Sequence, residues 1–97
     1  MYYVYMLRCE DNSLYTGITT DLKRRFSEHT GTDKGAKYTK SRKPLQIAAA
    51  FEVATKSDAL KLEYAIKKFG KPKKEMLVVG ELDINTLFEW KIKRISV

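Results

Sequence analysis

Arg25 and His29 are four residues apart in a stretch with helical periodicity, so their side chains are predicted to share one helix face. Arginine offers a planar fork of donors to phosphoryl oxygens, and an adjacent histidine can donate to the same anion or hold a water. Arg25 lies about 60° around the axis from apolar Leu22, whereas Arg24 lies about 160° away, toward solvent. The pair therefore indicates a phosphate site beside the buried seam, although a solvated basic helix face would give the same spacing.

Glu63 falls between Leu60 and Ile66, near the edge of the apolar stripe of a second predicted helix. Taking a carboxylate partly out of water costs on the order of several kcal/mol unless a cation meets it, so a metal ion or an inward arginine is expected there. The alternative is that Glu63 swings outward to pair with Lys67, an arrangement worth a few tenths of a kcal/mol, roughly.

Tyrosines form the third group, because the chain has six of them and Tyr2, Tyr3, Tyr5 and Tyr15 crowd a predicted hairpin. A phenol close to a metal-bound water or a cation can lose its proton more readily and act as a general base, whereas the ordinary role is packing. Gly17 would allow a close approach of backbone or substrate, or mark a strand bulge. Side chains alternate along strands, so the register must put Tyr5 and Tyr15 on one face if they share a site.

A polar, basic stretch follows the first predicted helix and has the composition of an exposed loop that tracks phosphates around one stacking platform. Its candidate nucleic-acid-binding residues are Lys34, Lys37, Tyr38, Lys40, Arg42 and Lys43. A second lysine cluster either extends this footprint or only keeps the protein soluble. It comprises Lys67, Lys68, Lys71, Lys73 and Lys74.

The length of 97 residues and the hydrophobic fraction of 43% predict one folded domain. A net charge of +7 makes nucleic acid the leading partner. Cys9 is the only cysteine, which removes intramolecular disulfides and thiolate zinc sets and favours a reducing, cytoplasmic setting. The sequence has no stretch near the ~20 apolar residues of a membrane span, so we expect no membrane association.

The elements that must position these residues can be read from turn and cap signals. Glu10 to Ser13 has turn composition, Thr19 to Asp21 offers helix caps, and Thr55 with Asp58 resembles a capping box. The predicted elements are strands at 2–9 and 14–18, a helix from 22 to about 31, a strand at 45–53, a helix at about 56–69, short helices at 73–79 and 83–90, and a strand or loose tail at 91–97.

Taken in order, these residues resemble the GIY-YIG nuclease superfamily, from about Met1 to Val79. The two signature tripeptides correspond to Val4-Tyr5-Met6 and Tyr15-Thr16-Gly17, of which Tyr5, Tyr15 and Gly17 match. The helix bearing Arg25 and His29 and the helix bearing Glu63 follow in the family order. The segments YTGITTDLKRRFSEH, GAKYTKSRKPL and ALKLEYAIKK look like the short stand-alone bacterial subfamily of GIY-YIG domain proteins.

The resemblance implies an α/β fold of the α+β type, a small three-stranded sheet flanked by helices. Residues 1–79 would form the nuclease-like domain, and residues 80–97 a C-terminal helical extension packed on it. One Mg²⁺, or Mn²⁺, would be held by Glu63. Tyr5 would be the general base, with Tyr15 positioning it or sharing its role, Arg25 would stabilise phosphoryl charge, and His29 would assist Arg25 or orient the substrate.

The function predicted on this basis is a metal-dependent endonuclease that hydrolyses phosphodiester bonds in branched, damaged or single-stranded DNA. One alternative is a non-catalytic nucleic-acid-binding module with the same fold. A basic structural or partner-binding domain is the other. Because phosphate contacts make affinity fall steeply with salt, a salt titration separates these two alternatives.

Overall fold

A computed structural model of the chain describes residues 1–31, 44–86 and 92–95. The described elements are β1 (Tyr2–Cys9), β2 (Leu14–Thr19), α1 (Leu22–Gly31), β3 (Pro44–Val53), α2 (Lys56–Lys67), α3 (Lys71–Val79), a 3₁₀ turn (Ile84–Thr86) and β4 (Lys93–Ile95). The strands form one antiparallel sheet in the order β2-β1-β3-β4. The α+β class with helices flanking a sheet is confirmed, and β4 adds a fourth strand to the three that were expected.

The β1–β2 hairpin owes its register to a short turn. The amide of Cys9 donates to the carbonyl of Ser13 at 3.0 Å, and the Asp11 carboxylate accepts from the Ser13 amide at 3.0 Å. Asn12 adopts a φ of 67°, a left-handed conformation that asparagine tolerates better than most residues. With the turn fixed in this way, Tyr5 lies opposite Gly17 and Leu7 opposite Tyr15.

The sheet buries side chains on both faces, because successive residues of a strand point to opposite sides. One face carries the larger core, which packs against α2 and α3; its members include Val4, Met6, Phe51, Val53, Ala59, Leu62, Ile66 and Leu77. The other face carries Tyr5, Leu7 and Ala50, against which Leu22 and Phe26 of α1 pack. Helices α1 and α2 therefore lie on opposite faces of the sheet.

Each helix begins or ends at a capping residue, and the caps at Asp21 and Thr55 were predicted from the sequence. The Asp21 carboxylate accepts from the Arg24 amide at 3.1 Å at the start of α1. The Thr55 hydroxyl accepts from the Asp58 amide at 3.1 Å at the start of α2. At the end of α3, Gly80 takes a φ of 84°, which glycine adopts without the penalty other residues pay.

A charged network fastens the hairpin to α3. Two guanidinium nitrogens of Arg8 donate to the two Glu75 oxygens at 2.5 Å each, and Lys71 approaches the same carboxylate at 2.9 Å. Lys71 also donates to the carbonyl of Asn12 in the turn. These hydrogen bonds hold the pKa of Glu75 down at about 2.

The C-terminal segment is only partly described. A 3₁₀ turn occupies Ile84–Thr86 in the region where a short helix was expected from residue 83, and residues 87–91 lie outside the described residues. Strand β4 pairs with β3, and the Arg94 guanidinium donates to the carbonyls of Leu77 and Val78 at the end of α3. The described part of residues 80–97 therefore packs on the same sheet, while the domain boundary at residue 79 stays a prediction.

Candidate active site

Tyr5, Tyr15 and His29 meet on the face of the sheet that α1 covers. The hairpin register puts the two tyrosines on the same face, with ring centroids 6.4 Å apart. His29 packs edge-on against both rings, with centroids 5.9 Å from Tyr5 and 5.4 Å from Tyr15. The structural condition for a shared site, that both phenols lie on one face, is confirmed.

A hydrogen bond of 3.0 Å joins the Tyr5 hydroxyl to Nε2 of His29. The Arg25 guanidinium lies near enough to the Tyr5 hydroxyl to act as a donor to it. Arginine can only donate, so the Tyr5 oxygen accepts from Arg25 and its own hydrogen is free to point at His29. This arrangement is satisfied by a neutral His29 whose Nε2 is unprotonated.

The pKa values of the two partners agree with that assignment. Burial lowers the pKa of His29 from its ordinary value, and the charge of Arg25 lowers it further against an opposing effect of Glu28. Burial raises the pKa of Tyr5 to about 12, although Arg25 acts to lower it. At neutral pH, the pair is therefore a protonated phenol beside a neutral imidazole.

Gly17 determines how closely the Tyr5 ring can lie against β2. A Cβ atom at Gly17 would be 2.5 Å from the Tyr5 hydroxyl oxygen, 2.7 Å from Cζ and 3.2 Å from a ring carbon of Tyr15. No real side chain fits at such distances. The sequence was consistent with either a close approach or a strand bulge at Gly17. The structure identifies the group that approaches Gly17 as the phenol of Tyr5.

Arg25 lies beside the buried seam of α1, as the helix arithmetic predicted, while Arg24 is exposed. Its guanidinium also pairs with Glu28 at 3.1 Å, and 27% of its side chain remains exposed. An incoming anion would meet the exposed part of this guanidinium-bearing side chain. The Arg25 and His29 side chains thus converge on one phenol, which a merely solvated basic face would not require.

Glu63 has both properties that were considered from the sequence, partial burial and pairing with Lys67. Its side chain is only 19% exposed, and Lys67 lies at 3.4 Å on the solvent side, itself 52% exposed. Such a pair is worth about 0.2–0.5 kcal/mol, weak enough for a divalent cation to displace the lysine. Although α2 covers the opposite face of the sheet, the Glu63 carboxylate is close enough to Tyr5 for its charge to raise the phenol pKa.

The carboxylate of Glu63 suits Mg²⁺, which keeps several of its waters and is bound through one or two carboxylates plus substrate phosphates. Among residues 1–31, 44–86 and 92–95, no group of three or more His, Cys, Asp or Glu side chains is placed to hold a metal ion.

The predicted nucleic-acid-binding loop lies outside the described residues, so its role stays a prediction. Its members are Lys34, Lys37, Tyr38, Lys40, Arg42 and Lys43. Of the predicted catalytic residues, Tyr5, Tyr15, Arg25 and His29 are brought into one cluster. Glu63 lies on the helix that covers the opposite face, close enough for its charge to affect Tyr5. In the part of the chain that is described, no helix is long and apolar enough to cross a membrane.

Comparison with known proteins identifies relatives that cover the whole site. The model of the GIY-YIG catalytic domain matches residues 1–76. A UPF0213 protein of Fusobacterium nucleatum is 46% identical over 98 residues, covering 97% of each chain. A UPF0213 protein of Cupriavidus necator is 51% identical over 73 residues, which cover 75% of this chain and 78% of the relative.

A solved structure has the same fold. The solution NMR structure of a UPF0213 protein from Bacillus halodurans aligns with a TM-score of 0.53 at 45% identity, covering 81% of this chain and 84% of that one. The predicted resemblance to short bacterial GIY-YIG proteins is therefore confirmed.

Proposed function

Because the chain belongs to the GIY-YIG catalytic domain family, we propose that it is a metal-dependent endonuclease that hydrolyses phosphodiester bonds in DNA. The observation that carries the proposal is the hydrogen bond from the Tyr5 phenol to His29, with Arg25 on the same oxygen. The net charge of +7 supports a polyanionic substrate.

The geometry supports a proton relay rather than a resident phenolate. With its pKa at about 12, the Tyr5 phenol is protonated at neutral pH. As a water molecule attacks phosphorus, the Tyr5 oxygen takes a proton from that water while its own proton passes to Nε2 of His29. The water oxygen forms the new bond to phosphorus, and the bond to the leaving oxygen breaks with its electron pair going to that oxygen. Solvent water protonates the leaving oxygen, and His29, now an imidazolium, returns its proton to solvent. Proton transfer of this kind typically contributes about 10²–10⁴ in rate.

Arg25 has two roles in this proposal. Its positive charge beside the Tyr5 hydroxyl favours any negative charge on the phenol oxygen during the relay, and the exposed part of its side chain would attract the anionic phosphoryl group. Tyr15 packs against both Tyr5 and His29 and holds their rings in place. Tyr15 is therefore a positioning residue for the relay.

Glu63 would hold Mg²⁺ or Mn²⁺, which when bound supplies a Lewis acid that polarises the scissile phosphate and its leaving oxygen. The Glu63 carboxylate is partly buried and is paired only loosely with Lys67, which supports this assignment. We further propose a cytoplasmic setting, which the presence of a single cysteine in the sequence supports.

A cleavage panel tests the proposal. Labelled single-stranded, duplex, nicked, flapped, forked and four-way DNAs are incubated with the wild type in Mg²⁺, in Mn²⁺ or in EDTA. We expect at least one structure to be cut with metal and none with EDTA, and cutting of branched or damaged forms would support a role in DNA repair. Tyr5→Phe should lower the rate about 100-fold or more.

Tyr3→Phe is the matched control, because Tyr3 lies two residues away on β1 and its hydroxyl interacts with Glu52 instead of the cluster. This control should cut at the wild-type rate. Equal cutting by Tyr5→Phe would overturn the relay. Binding without cutting under every condition would instead favour a non-catalytic nucleic-acid-binding module.

A further inference from the structure

Beyond Glu63, the surface of α2 changes from buried core to exposed apolar side chains. Leu62 and Ile66 are completely buried, whereas Leu60 is 46% exposed and Tyr64 is 62% exposed. At about 100° per residue, Tyr64 lies some 100° around the axis from Glu63, on the side away from the buried stripe. An exposed aromatic ring therefore lies on the same helix as the carboxylate that we assign to the metal, one position further along the chain.

One lysine contacts this ring, and further lysines follow along the chain. The ammonium group of Lys68 lies 4.2 Å from the centroid of the Tyr64 ring, and Lys67 lies on the same side of the helix as Glu63. Further along, the ammonium of Lys73 lies 4.4 Å from the centroid of the Phe69 ring. Aromatic faces interleaved with lysines match the composition of surfaces that bind single-stranded nucleic acid, where bases stack and cations follow the backbone.

Lys68 does not shield the ring from other ligands, because most of the Tyr64 side chain remains exposed despite that contact. A protein partner would fit the apolar atoms of Leu60 and Tyr64 but would have to neutralise the lysines around them. A nucleic-acid strand satisfies both at once, since its base covers the ring and its phosphates meet the cations. Because Tyr64 follows Glu63 directly in α2, a strand bound to the ring would run along the helix that carries the proposed metal ligand.

We infer that Tyr64, together with Lys68, stacks an unpaired base of the DNA strand that is cut at the Glu63 site. This inference rests on the proposed function and specifies its substrate class, which is DNA with an unpaired nucleotide next to the scissile phosphate. In an intact duplex each base is covered on both faces by its neighbours, so the ring has no base to receive. Tyr64 is thus a specificity-determining residue rather than part of the proton relay.

Fluorescence of 2-aminopurine tests the inference without any cleavage. A thymine oligonucleotide carrying one 2-aminopurine is titrated with the wild type in EDTA, alongside Tyr64→Ala, Tyr64→Trp and the control Leu60→Ala, which alters the other exposed apolar residue of the patch. We expect the wild type to quench the fluorescence and Tyr64→Trp and Leu60→Ala to retain the quenching. Tyr64→Ala should lose it and bind about tenfold more weakly.

A salt titration with Lys68→Gln adds a second readout. Loss of one phosphate contact on a single strand should reduce the slope of log affinity against log salt by about 0.7. Quenching and affinity that are unchanged in Tyr64→Ala would overturn the inference, as would equal Tyr64-dependent binding of an intact duplex. Cleavage by the wild type without Tyr64-dependent quenching removes this inference alone, whereas Tyr64-dependent quenching without any cleavage removes the proposed function alone.

Discussion

The hydroxyl of Tyr5 lies 3.0 Å from Nε2 of His29, although the two residues come from different elements and are 24 positions apart in the chain. Strand β1 carries the phenol and α1 carries the imidazole, so the contact exists only when helix and sheet are packed. Burial affects the two groups differently, raising the pKa of Tyr5 and lowering that of His29. Both shifts favour the neutral forms and leave a proton acceptor directly behind the phenol.

This pair predicts a specific pH dependence of cleavage. His29 accepts a proton only while its Nε2 is free, and Arg25 and burial lower its pKa below the ordinary 6.5 while Glu28 opposes them. The wild-type rate should therefore rise with pH, with an apparent pKa below 6.5, and be level by neutral pH. His29→Gln should be about 100-fold slower or more, and its cleavage rate should not show this rise with pH at acidic values. If the rate of His29→Gln still rose with pH at acidic values, a group other than His29 would be responsible for the pH dependence.

Gly17→Ala should disable the site by steric conflict. The new Cβ would lie 2.5 Å from the Tyr5 hydroxyl oxygen, and the buried ring has little room to retreat. We expect a loss of about 1–3 kcal/mol in unfolding free energy and a fall in cleavage rate. Gly70→Ala is the control, because its Cβ meets only a Pro72 carbon at 3.8 Å. Denaturant unfolding measures the free energy of unfolding of both variants. Equal losses in the two variants would contradict the close packing of Tyr5 against Gly17.

Glu75→Gln should destabilise the attachment of the hairpin to α3. The carboxylate receives both Arg8 donors and Lys71, but it is part-exposed, so we expect a loss of only about 1 kcal/mol, or roughly 4–8 °C in Tm, at pH 7. Because folding depresses the pKa of Glu75 from 4.5 to about 2, its stabilisation is present above pH 4.5 and is lost as the pH falls toward 2.

Thermal unfolding across that pH range checks this prediction. The Tm difference between the wild type and Glu75→Gln should shrink as the pH is lowered. Glu81→Gln serves as the control, since Glu81 is an exposed glutamate just after α3 with no ion pair among the residues described. A difference that is constant with pH would mean that the ionised carboxylate contributes nothing.

Thr16→Val should leave stability unchanged or raise it by up to about 1 kcal/mol. Thr16 is 2% exposed, and its hydroxyl has no hydrogen-bond partner in the part of the chain that the structure covers. Replacing an unsatisfied buried hydroxyl with a methyl group of similar size removes a desolvation cost. Chemical denaturation measures the change; a loss of 1 kcal/mol or more would show that the hydroxyl has a partner.

Much of the fold could be predicted from local signals. Turn residues around Asp11 and Asn12, the caps at Asp21 and Thr55, and the alternation along β1 each act over a few residues, and the structure contains the hairpin and helices they predicted. For residues 91–97 the sequence predicted either a strand or a loose tail. The pairing of β4 with β3 is a long-range contact, and a strand of three residues carries too little local signal to predict it.

The candidate site was predictable as a set of residues and less so as a mechanism. Helix arithmetic oriented Arg25 correctly, and it found Glu63 at the edge of a buried stripe. The role of Gly17 depends on which residue of β1 lies opposite it. The register of the hairpin makes that residue Tyr5. The hydrogen bond between Tyr5 and His29 could not be foreseen, because it depends on the angle at which α1 crosses the sheet.

Comparison of Glu63→Gln with Lys67→Gln tests the central claim most directly, since each removes one member of the same surface pair. The measurement is the cleavage rate with Mg²⁺ on whichever DNA the wild type cuts, with thermal unfolding of both variants as a check on folding. We predict that Glu63→Gln loses cleavage at least about 100-fold while Lys67→Gln keeps most of it, both remaining folded. Equal rates in the two variants would contradict the account, because Glu63 would then serve only to pair with Lys67.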